Sequence, residues 1–379
     1  MIICYRISGT AAARVLIISV IFYYFYIRFR KHDSWHTMNN RKEVTIYDIA
    51  KALNLSASTV SRGLRGHSVI RKDTRRKITD TAIAMGYQQN TFARNLRKNR
   101  SNTIGVILPR LNSSFQSSVV AGIEKEASKR EFNLIISQSR ESVEKEKTNI
   151  STMFNSRVEG LIISLASDTE NLAHLDRFLV KKIPVVLYDR VKGNPGCECI
   201  KVVIDNEEAG YDAVTHLIEQ GCKRILFLGG NLKSNVYFDR HLGYKRALAE
   251  YGLPFERELT LEDTLDEDSG NRTVEKILRM KKRPDGIFAV NDTSAATIIC
   301  NLQEHGIKVP EDIGVVGFNN VYISRVVNPR LTTVDYPGEE MGRIAASTLI
   351  ELLDSDKPII PNTIVLKHKL IIRDSSVRK

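Results

Sequence analysis

Cysteine, tryptophan and long apolar runs are all scarce in this chain of 379 residues. The five cysteines are too few and too scattered for a disulfide scaffold; they are Cys4, Cys197, Cys199, Cys222 and Cys300. The one close pair, Cys197 and Cys199, has no histidine nearby to complete a metal site. We therefore expect reduced thiols, a reducing cytosol and no bound metal.

Enzyme motifs are missing as well. No G-x-G-x-x-G opens the first strand-helix unit, and the sequence has neither a phosphate-binding loop with its lysine nor a G-x-S-x-G. The eight histidines form no cluster with ligand spacing. Gly229 and Gly230 after "RILFL" predict a tight turn and not a nucleotide motif. The sequence therefore predicts a protein that is not an enzyme and needs no cofactor.

The longest apolar run, "VLIISVIFYYFYI" at residues 15–27, is shorter than the roughly 20 residues that cross a bilayer. Arg14 precedes it, and Arg28, Arg30 and Lys31 follow it. Two interpretations stay open: a marginal anchor that leaves the rest of the chain in the cytoplasm, or translated upstream sequence. We favour the second, in which the working protein starts at Met38 and residues 1–37 are an apolar extension.

Basic charge is concentrated in one short window. Of the formal net charge of +12, residues 41–100 carry +10, with 14 Lys and Arg against 4 Asp and Glu. The first 40 residues carry +4, which leaves −2 for the remainder of the chain. The chain is too long for one ordinary core and suits two or three domains. A basic patch confined to one small domain points to nucleic acid as its partner.

Residues 44–66, "VTIYDIAKALNLSASTVSRGLRG", predict two short helices joined by a turn. Thr45 and Asp48 form a capping box, because a hydroxyl three residues before a carboxylate satisfies free amides at a helix start. Apolar residues then follow at helical spacing: Ile46, Ile49, Ala50 and Leu53. The first helix is expected to end near Leu53, with the chain turning at Asn54 and Leu55.

The second helix is expected to begin after Ser56, whose hydroxyl can cap it, and to end at Gly66. Val60 and Leu64 form its inward face. Two helices of this length with a short turn between them are the helix-turn-helix unit. A third amphipathic helix is predicted over residues 72–85, ending at Gly86, so that residues 38–88 make one domain. Its inward residues are Ile78, Ala82 and Met85.

The outward residues of the second helix suit a DNA groove. They are small apart from one guanidinium, and comprise Ala57, Ser58, Ser61 and Arg62. Small side chains permit close approach, and Arg62 can bond a base edge through two hydrogen bonds. The nearby cations are assigned to phosphates, and they are Arg65, Arg71, Lys72, Arg75, Arg76 and Lys77. The alternative is a small helical bundle with a charged, solvated surface.

After residue 102, short apolar runs alternate with amphipathic segments. The runs are "IGVIL", "NLIIS", "GLIIS", "PVVLY", "KVVI", "RILFLG", "GIFAV" and "IGVVGF", and helices are predicted at 118–130, 205–220, 241–251 and 294–305. This alternation is typical of α/β proteins with parallel sheets covered by helices on both faces. Two smaller sheets are favoured over one large sheet at this length. A ligand would then bind between the two lobes, beyond the carboxyl ends of the strands.

The stretches "TIYDIAKALNLSASTVSRGLRG" and "TRRKITDTAIAMGYQQNTFARNLRKNRSNTIGVILP" resemble the LacI/GalR (lactose-repressor) family of bacterial regulators. The similarity runs from Val44 nearly to the C-terminus. It implies an N-terminal helix-turn-helix domain followed by a two-lobed core like a type I periplasmic binding protein. On that pattern the first lobe holds about 102–203 and 333–354, and the second about 204–332 and 357–379.

The resemblance also implies which residues contact DNA. Tyr47 would touch the backbone, while Ala57, Ser58 and Arg62 would face bases. The full expected set in the helical domain is Thr45, Tyr47, Ser56, Ala57, Ser58, Thr59, Ser61, Arg62 and Arg65. Residues 89–101 would form a hinge helix and linker, contributing Asn90, Arg94, Leu96 and Arg97. Leu96 would enter the minor groove as an apolar wedge while the two arginines grip phosphates. The alternative is an ordinary basic linker.

Seven residues that follow strands or match the family's pattern are candidate ligand contacts: Phe115, Gln116, Asp189, Arg240, Asn291, Asp292 and Asn319. An aromatic ring suits the apolar face of a sugar or a flat base. A carboxylate, a guanidinium and amides suit vicinal hydroxyls, each of which is both donor and acceptor. Structural alternatives stay open, since Asp292 can cap the next helix, Asp189 can pair with Arg190, and Phe115 can belong to the core.

Two departures from the family's pattern leave the ligand's identity open. Ser113 and Ser114 stand where the family usually shows Asn-Pro, and Asn319 stands where many members carry Asp. The resemblance implies a cytoplasmic, sequence-specific transcription regulator, expected to be a repressor, which binds operator DNA as a homodimer and responds to a sugar. The alternative function is a membrane-tethered sugar-binding sensor. This alternative explains the apolar run but assigns no role to the basic window.

Overall fold

The computed structural model describes residues 44–87, 100–192, 199–355 and 358–378. The chain divides into two compact units, Met1–Ala93 and Arg94–Lys379. The apolar run at residues 15–27 and the predicted hinge-helix residues Asn90, Arg94, Leu96 and Arg97 lie outside the described residues. None of the helices in the described ranges combines the length and the apolar character needed to span a bilayer.

The first unit contains three short helices, α1 (Ile46–Leu53), α2 (Ala57–Leu64) and α3 (Lys72–Ala84). These bounds agree with the predicted helices to within two residues. The helices enclose a small core in which Ile49, Val60 and Ile78 are fully buried. Gly63 allows α2 and α3 to approach closely, because a Cβ there would lie 2.5 Å from Cδ1 of Ile78.

Local side-chain chemistry sets the ends of α1 and α2. The Asp48 carboxylate accepts hydrogen bonds from the backbone N–H of Thr45, at 2.8 Å, and from its hydroxyl, at 2.7 Å. Asn54 ends α1 in the left-handed conformation, with φ of 51°. Ser56 caps α2, since its Oγ accepts from the Thr59 amide at 3.1 Å. Each of these contacts spans at most three residues, which is why the sequence pattern alone locates the turn.

Two six-stranded sheets form the second unit. The first contains β1 (Thr103–Leu108), β2 (Asn133–Gln138), β3 (Gly160–Ile163), β4 (Val185–Tyr188), β5 (Ile200–Ile204) and β11 (Thr363–Leu366). The second contains β6 (Ile225–Gly229), β7 (Thr260–Glu262), β8 (Gly286–Ala289), β9 (Gly314–Phe318), β10 (Thr332–Asp335) and β12 (Lys369–Ile371). Their spatial orders are β11-β5-β4-β3-β1-β2 and β12-β10-β9-β8-β6-β7. All pairings are parallel except β10 with β12.

Helices cover both sheets. The first lobe carries α4 (Ser114–Lys129), α5 (Val143–Asn155), α6 (Asp176–Val180) and α12 (Gly338–Leu353). The second carries α7 (Asn206–Glu219), α8 (Asn235–Glu250), α9 (Ser269–Arg279), α10 (Asp292–Glu304) and α11 (Ile323–Val326). Two 3₁₀ turns, Ala173–Leu175 and Arg257–Leu259, complete the list. The predicted two-sheet α/β architecture is confirmed.

Strand pairing corrects the predicted boundaries between the lobes. Residues 333–335 were assigned to the first lobe, but β10 pairs with β9 in the second sheet. Residues 363–366 were assigned to the second lobe, but β11 pairs with β5 in the first sheet. The chain therefore crosses after β5, after β10 and after β11. Both errors have one cause: the short strands "TTVD" and "TIVL" carry no signal that says which sheet edge they extend.

The thiols differ in part from the expectation of a reduced set. Cys222 and Cys300 are free, whereas Cys199 is disulfide-bonded. Spacing along the chain does not report the oxidation state of a thiol, so the sequence could not predict that Cys199 is oxidised. Burial raises the pKa of the Cys222 thiol to about 11, which keeps it protonated and unreactive.

Candidate functional site

The exposed face of α2 carries the polar residues predicted to contact DNA. Ser58 and Arg62 are exposed on it, while Ala57, Thr59 and Ser61 are half-buried. Ser56 is occupied as the helix cap, and its Oγ also lies 2.9 Å from Oγ of Ser58. The face therefore offers short side chains around a single extended guanidinium.

Other predicted DNA contacts surround this face within the first unit. Tyr47 of α1 leaves 73% of its surface exposed, so its ring and hydroxyl are accessible to a partner. Thr45 is exposed beside it, and Arg65 is exposed just after α2. Arg75 differs from the other assigned cations, because it is half-buried and donates to the carbonyl of Ile70 at 3.4 Å. Arg75 therefore helps to hold the turn before α3.

A cleft of about 630 Å³, part of it open to solvent, lies in the second unit where the carboxyl ends of strands from both sheets meet. Six of the seven residues predicted as ligand contacts line it: Phe115, Gln116, Asp189, Arg240, Asn291 and Asn319. Parallel strands bring their carboxyl ends to one edge of a sheet, so residues far apart in sequence converge there.

Asp189 lies at the centre of a buried hydrogen-bond network. It follows β4 in the left-handed conformation, with φ of 56°. Its carboxylate accepts from the Tyr336 hydroxyl at 2.8 Å, the Gln116 amide at 3.1 Å and the Ser164 hydroxyl at 3.4 Å. The Gln116 carbonyl in turn accepts from the Tyr188 hydroxyl at 2.6 Å. Burial raises the pKa of Asp189, although Arg190 and Arg240 oppose the shift.

Arg240 projects from α8 and is buried almost completely. Its Nε donates to Oδ1 of Asn206 at 2.9 Å, and its Nη1 donates to the carbonyl of Val290 at 3.1 Å. The guanidinium also lies 3.5 Å from the centre of the Phe318 ring, a cation-π contact in a dry environment. Burial lowers the pKa of Arg240, but an arginine stays charged at neutral pH.

An aromatic pair forms another wall of the cleft. The ring of Phe115 stacks on that of Tyr336, with 4.2 Å between centroids and 21° between planes. Tyr336 also meets Phe318 edge to face at 5.9 Å. Phe115 therefore belongs to the core and also lines the cleft, and its contact with a ligand stays a prediction.

A second ionic group in the cleft was not predicted. Glu141, in the loop after β2, pairs with Arg190, which follows Asp189 directly, and lies 3.4 Å from Nε of Arg110. Arg190 also donates to the Tyr237 hydroxyl of α8 at 2.9 Å. Burial disfavours ionisation of Glu141, but Arg190 and Arg110 outweigh it and lower its pKa. The alternative left open by the sequence was an ion pair between Arg190 and Asp189. The carboxylate that pairs with Arg190 is instead that of Glu141.

Asp292 does not line the cleft, which corrects its prediction as a ligand contact. It is fully buried behind the cleft wall, where it accepts from the Val321 amide at 2.7 Å and from the Thr333 hydroxyl at 2.5 Å. Nor does it cap the following helix; Asn291 does, its Oδ1 accepting from the Ser294 amide at 2.7 Å. Two polar residues after a strand are both predicted to lie near the cleft. The sequence does not indicate which of the two side chains faces the cleft.

Asn235 joins the two lobes beside the cleft and was also missed. Its side-chain oxygen accepts from the Val191 amide at 3.0 Å, and its side-chain nitrogen donates to the Asp189 carbonyl at 3.4 Å. Asn235 begins α8 in the second lobe, whereas its partners follow β4 in the first. Within the described ranges, no group of three or more His, Cys, Asp or Glu side chains is arranged to hold a metal.

Two family models match the chain. Bacterial regulatory proteins of the lacI family match residues 45–90, and a periplasmic binding protein-like domain matches residues 214–376. Catabolite control protein A of Priestia megaterium is 34% identical over 88% of this chain and 99% of its own length. The HTH-type transcriptional repressor PurR of Vibrio atlanticus (strain LGP32) is 30% identical over 88% of this chain and 98% of its own.

Solved structures agree with these matches. A lac repressor dimer bound to operator and the anti-inducer ONPF superposes with a TM-score of 0.77 at 25% identity, covering 89% of this chain and all of that one. A complex of the transcriptional regulator CelR with cellobiose gives a TM-score of 0.66 at 25% identity, covering 88% of this chain and all of the other. These relatives are regulators and not enzymes. The chain is a DNA-binding transcriptional regulator with an effector-binding domain, and it belongs to the lacI family of bacterial regulatory proteins.

Proposed function

We propose that this regulator is a repressor whose affinity for operator DNA is set by a sugar bound in the cleft. The observation that carries the proposal is the convergence of Asp189, Arg240, Asn291 and Asn319 beside the stacked pair Phe115 and Tyr336. Sugar hydroxyls are donors and acceptors at once, so a wall that mixes amides, a carboxylate and a guanidinium can satisfy them. The CelR relative was solved with cellobiose, a carbohydrate.

The cleft favours a ligand with both a polar and an apolar face. One side presents the aromatic pair, and such rings pack on the C–H face of a sugar ring. The other presents the Asn319 loop and Arg240, which is held by Asn206 and Val290 and so needs no ligand to keep its position. Preorganised groups lose little freedom on binding, which increases affinity.

The DNA-binding face in this proposal is α2 with its neighbours. Arg62 would read a base edge, Ser58 and Ala57 would permit close approach, and Tyr47 and Arg65 would contact the backbone. This assignment is supported by the exposure of Arg62, Ser58 and Tyr47 around α2, whose own inward residue Val60 is fully buried. The lac repressor relative was solved on operator DNA.

We also propose a homodimer in the cytoplasm. Two apolar surfaces of the second unit are exposed: Ile135 and Ile136 on the edge strand β2, and Tyr322 and Val326 at α11. Tyr322 leaves 78% of its surface exposed, and Val326 leaves 51%. Exposed edges and apolar patches of this kind are commonly covered by a partner, and a closed dimer uses one patch twice. The lac repressor relative was solved as a dimer.

Calorimetry on the full chain tests the ligand. A panel of monosaccharides, disaccharides, nucleobases and nucleosides is titrated into wild type and Arg240→Met, and we expect one carbohydrate to bind wild type alone. Exclusive binding of a nucleobase or nucleoside would refute the sugar. In parallel, a duplex selected by the protein from a random pool is used to measure affinity with and without that carbohydrate. An unchanged affinity would refute control by the cleft.

Sedimentation velocity tests the dimer. We expect wild type to sediment as a dimer and the double variant Tyr322→Ser, Val326→Ser to shift towards monomer. Val180→Ser, which alters an equally exposed apolar residue on α6, is the matched control and should leave the dimer intact. A monomeric wild type at micromolar concentration would contradict the proposal.

A further inference from the structure

Asp292 connects three segments of the second lobe from a fully buried position. It is the first residue of α10; one carboxylate oxygen accepts from the Val321 amide at 2.7 Å, and the other accepts from the Thr333 hydroxyl of β10 at 2.5 Å. Gly317 of β9 lies against it, because a Cβ there would be 2.4 Å from Oδ1. Asp292 therefore ties a helix, a strand and the turn after β9 to one carboxylate.

The turn after β9 is strained and needs these ties. Asn319 has φ of 104° and Asn320 has φ of 49°, conformations that non-glycine residues seldom adopt in succession. The backbone N–H of Asn320 donates to Oγ1 of Thr333 at 3.3 Å. The Asn320 side chain accepts from Nη2 of Arg373 at 2.7 Å and donates to Asp335 at 2.8 Å. Strain of this kind persists only where the surroundings hold the backbone from several sides.

The strained turn lies between the cleft and an exposed apolar surface. On one side, Asn319 lines the cleft together with Asn291, the residue just before Asp292. On the other, Val321 leads directly into Tyr322 and α11, where Tyr322 and Val326 are exposed. A change in how firmly Val321 is held would be felt on both sides, because only two residues separate Asn319 from Tyr322.

We propose that Asp292 is a positioning residue whose ionisation loosens the turn at residues 319–321, so that proton concentration sets how firmly this wall of the effector cleft is held. The inference rests on the proposed function only in assigning effector contact to Asn291 and Asn319. The ties themselves are a property of the second lobe alone.

The surroundings of Asp292 determine the direction of the effect. Burial raises the pKa of Asp292 to about 7, and the opposing contributions of Thr333, Val321 and the positive charge of Arg373 do not cancel it. The charged form of Arg373 is stabilised by the nearby carboxylate of Asp335 and destabilised by the positive charges of Arg325 and Arg330. When the turn opens and water reaches the carboxyl, its pKa returns towards the ordinary value of about 4.

Linkage between proton binding by Asp292 and opening of the turn determines the direction of the pH effect. The closed state binds the proton more tightly than the open state, so closure is favoured below pH ~4 and loses stability as the pH rises through about 7. Between those limits, opening becomes roughly tenfold more frequent with each pH unit. The protonated carboxyl can keep its place, because it can donate to Thr333, whose hydroxyl then turns to the Val334 carbonyl 3.5 Å away.

Hydrogen exchange on the full chain tests the proposal without effector or DNA. Deuterium uptake of peptides covering residues 319–326 is followed from pH 5 to 7.5 and corrected for intrinsic exchange with an unstructured peptide. We expect opening in wild type to rise about tenfold per pH unit between pH 5 and 6.5 and then to level off. In Asp292→Asn it should be independent of pH. Asp312→Asn, which alters an exposed carboxylate bonded to the Lys308 amide, should keep the wild-type slope.

Two further variants preserve the test if Asp292→Asn fails to fold. Thr333→Val removes one donor to the carboxylate and should move the levelling point to higher pH, while Thr333→Ser keeps the donor and the wild-type profile. Opening that does not depend on pH in wild type, an equal slope in Asp292→Asn, or an unmoved levelling point in Thr333→Val would each overturn the proposal. Since no ligand is added, a failure here leaves the proposed function standing, and a failed sugar titration leaves this result standing.

Discussion

The two units place their functional residues in opposite environments. In the helical unit, the polar residues proposed to contact DNA, such as Ser58 and Arg62, are exposed, and its stability depends on a few apolar residues such as Ile49, Val60 and Ile78. In the core, the cleft residues Asp189 and Arg240 are buried and hydrogen-bonded. We therefore expect binding and stability to be separable in the first unit and coupled in the second. In the small domain, the proposed contacts are surface residues that contribute little to its core. In the cleft, the proposed contacts are buried residues that also contribute to the stability of the fold.

Shrinking the core of the helical unit should have the largest effect. Ile78→Ala leaves a cavity beside Gly63 and should cost roughly 2–5 kcal/mol, comparable to the whole stability of so small a unit. We expect loss of exchange protection over residues 72–84 and loss of duplex binding, with the main calorimetric transition of the core unchanged. Ile83→Ala, on the same helix but 73% exposed, is the control and should stay within about 0.5 kcal/mol. Equal effects would contradict the assigned core.

Removing the buried guanidinium should show that binding and stability are coupled in the core. Arg240→Met leaves the Asn206 and Val290 oxygens without their donor, and we expect a loss of roughly 1–3 kcal/mol in unfolding free energy. Ligand binding in the calorimeter should disappear as well. Arg343→Met, on the exposed face of α12 where Arg343 pairs with Glu340, should change neither. If Arg240→Met lost binding at full stability, the coupling described here would be wrong.

Removing the exposed guanidinium should show the reverse. Arg62→Ala should cost roughly 1–3 kcal/mol in binding to the selected duplex and relax preference at one base position, with thermal stability unchanged. Lys77→Ala is the comparison, because a phosphate contact should weaken binding to all sequences alike and lower the salt dependence. Selection from a random pool with each variant measures the difference. An identical selected sequence for Arg62→Ala and wild type would remove Arg62 from the reading surface.

The smallest effect is expected at Glu141, where it should depend on pH. Arg190 and Arg110 hold the folded-state pKa of Glu141 below its ordinary value, so the ionised carboxylate stabilises the core at neutral pH. That contribution is lost as the pH falls through the lowered pKa, under pH ~4. Glu141→Gln should therefore lower stability by about 1 kcal/mol at pH 7, and this difference should shrink progressively as the solution is acidified below the ordinary pKa of a glutamate. Thermal melts of both proteins across this range measure it; a difference that does not depend on pH would exclude ionisation as the cause.

Sequence reasoning predicted the helical unit in greater detail than it predicted the core. The capping box of Thr45 and Asp48, the turn at Asn54 and the cap at Ser56 all appear where the pattern placed them. In the core, the eight short apolar runs predicted as strands all form strands, but β7, β10, β11 and β12 were missed. These are short strands of three or four residues, and two of them, "TLE" and "TTVD", contain little apolar sequence.

Among the cleft residues, a rule about strand ends worked better than residue chemistry. Six predicted residues line the cleft because each follows a strand or matches the family's pattern. The same rule would have admitted Arg190 and Glu141, which also follow strands, but nothing in the sequence singled them out. The rule was wrong for Asp292. The side chain of Asn291 faces the cleft, whereas that of the next residue, Asp292, is buried in the interior.

By itself, the sequence determined the helix-turn-helix unit, the α/β class of the core and the sheet edge at which the cleft lies, because these follow from contacts of a few residues and from apolar patterning. Tertiary structure alone decided which sheet β10 and β11 join, that Arg190 pairs with Glu141 in place of its neighbour Asp189, and that Asp292 is buried. Those outcomes depend on pairings between residues tens of positions apart. Burial and charge act through space, and the order of residues along the chain does not contain those distances.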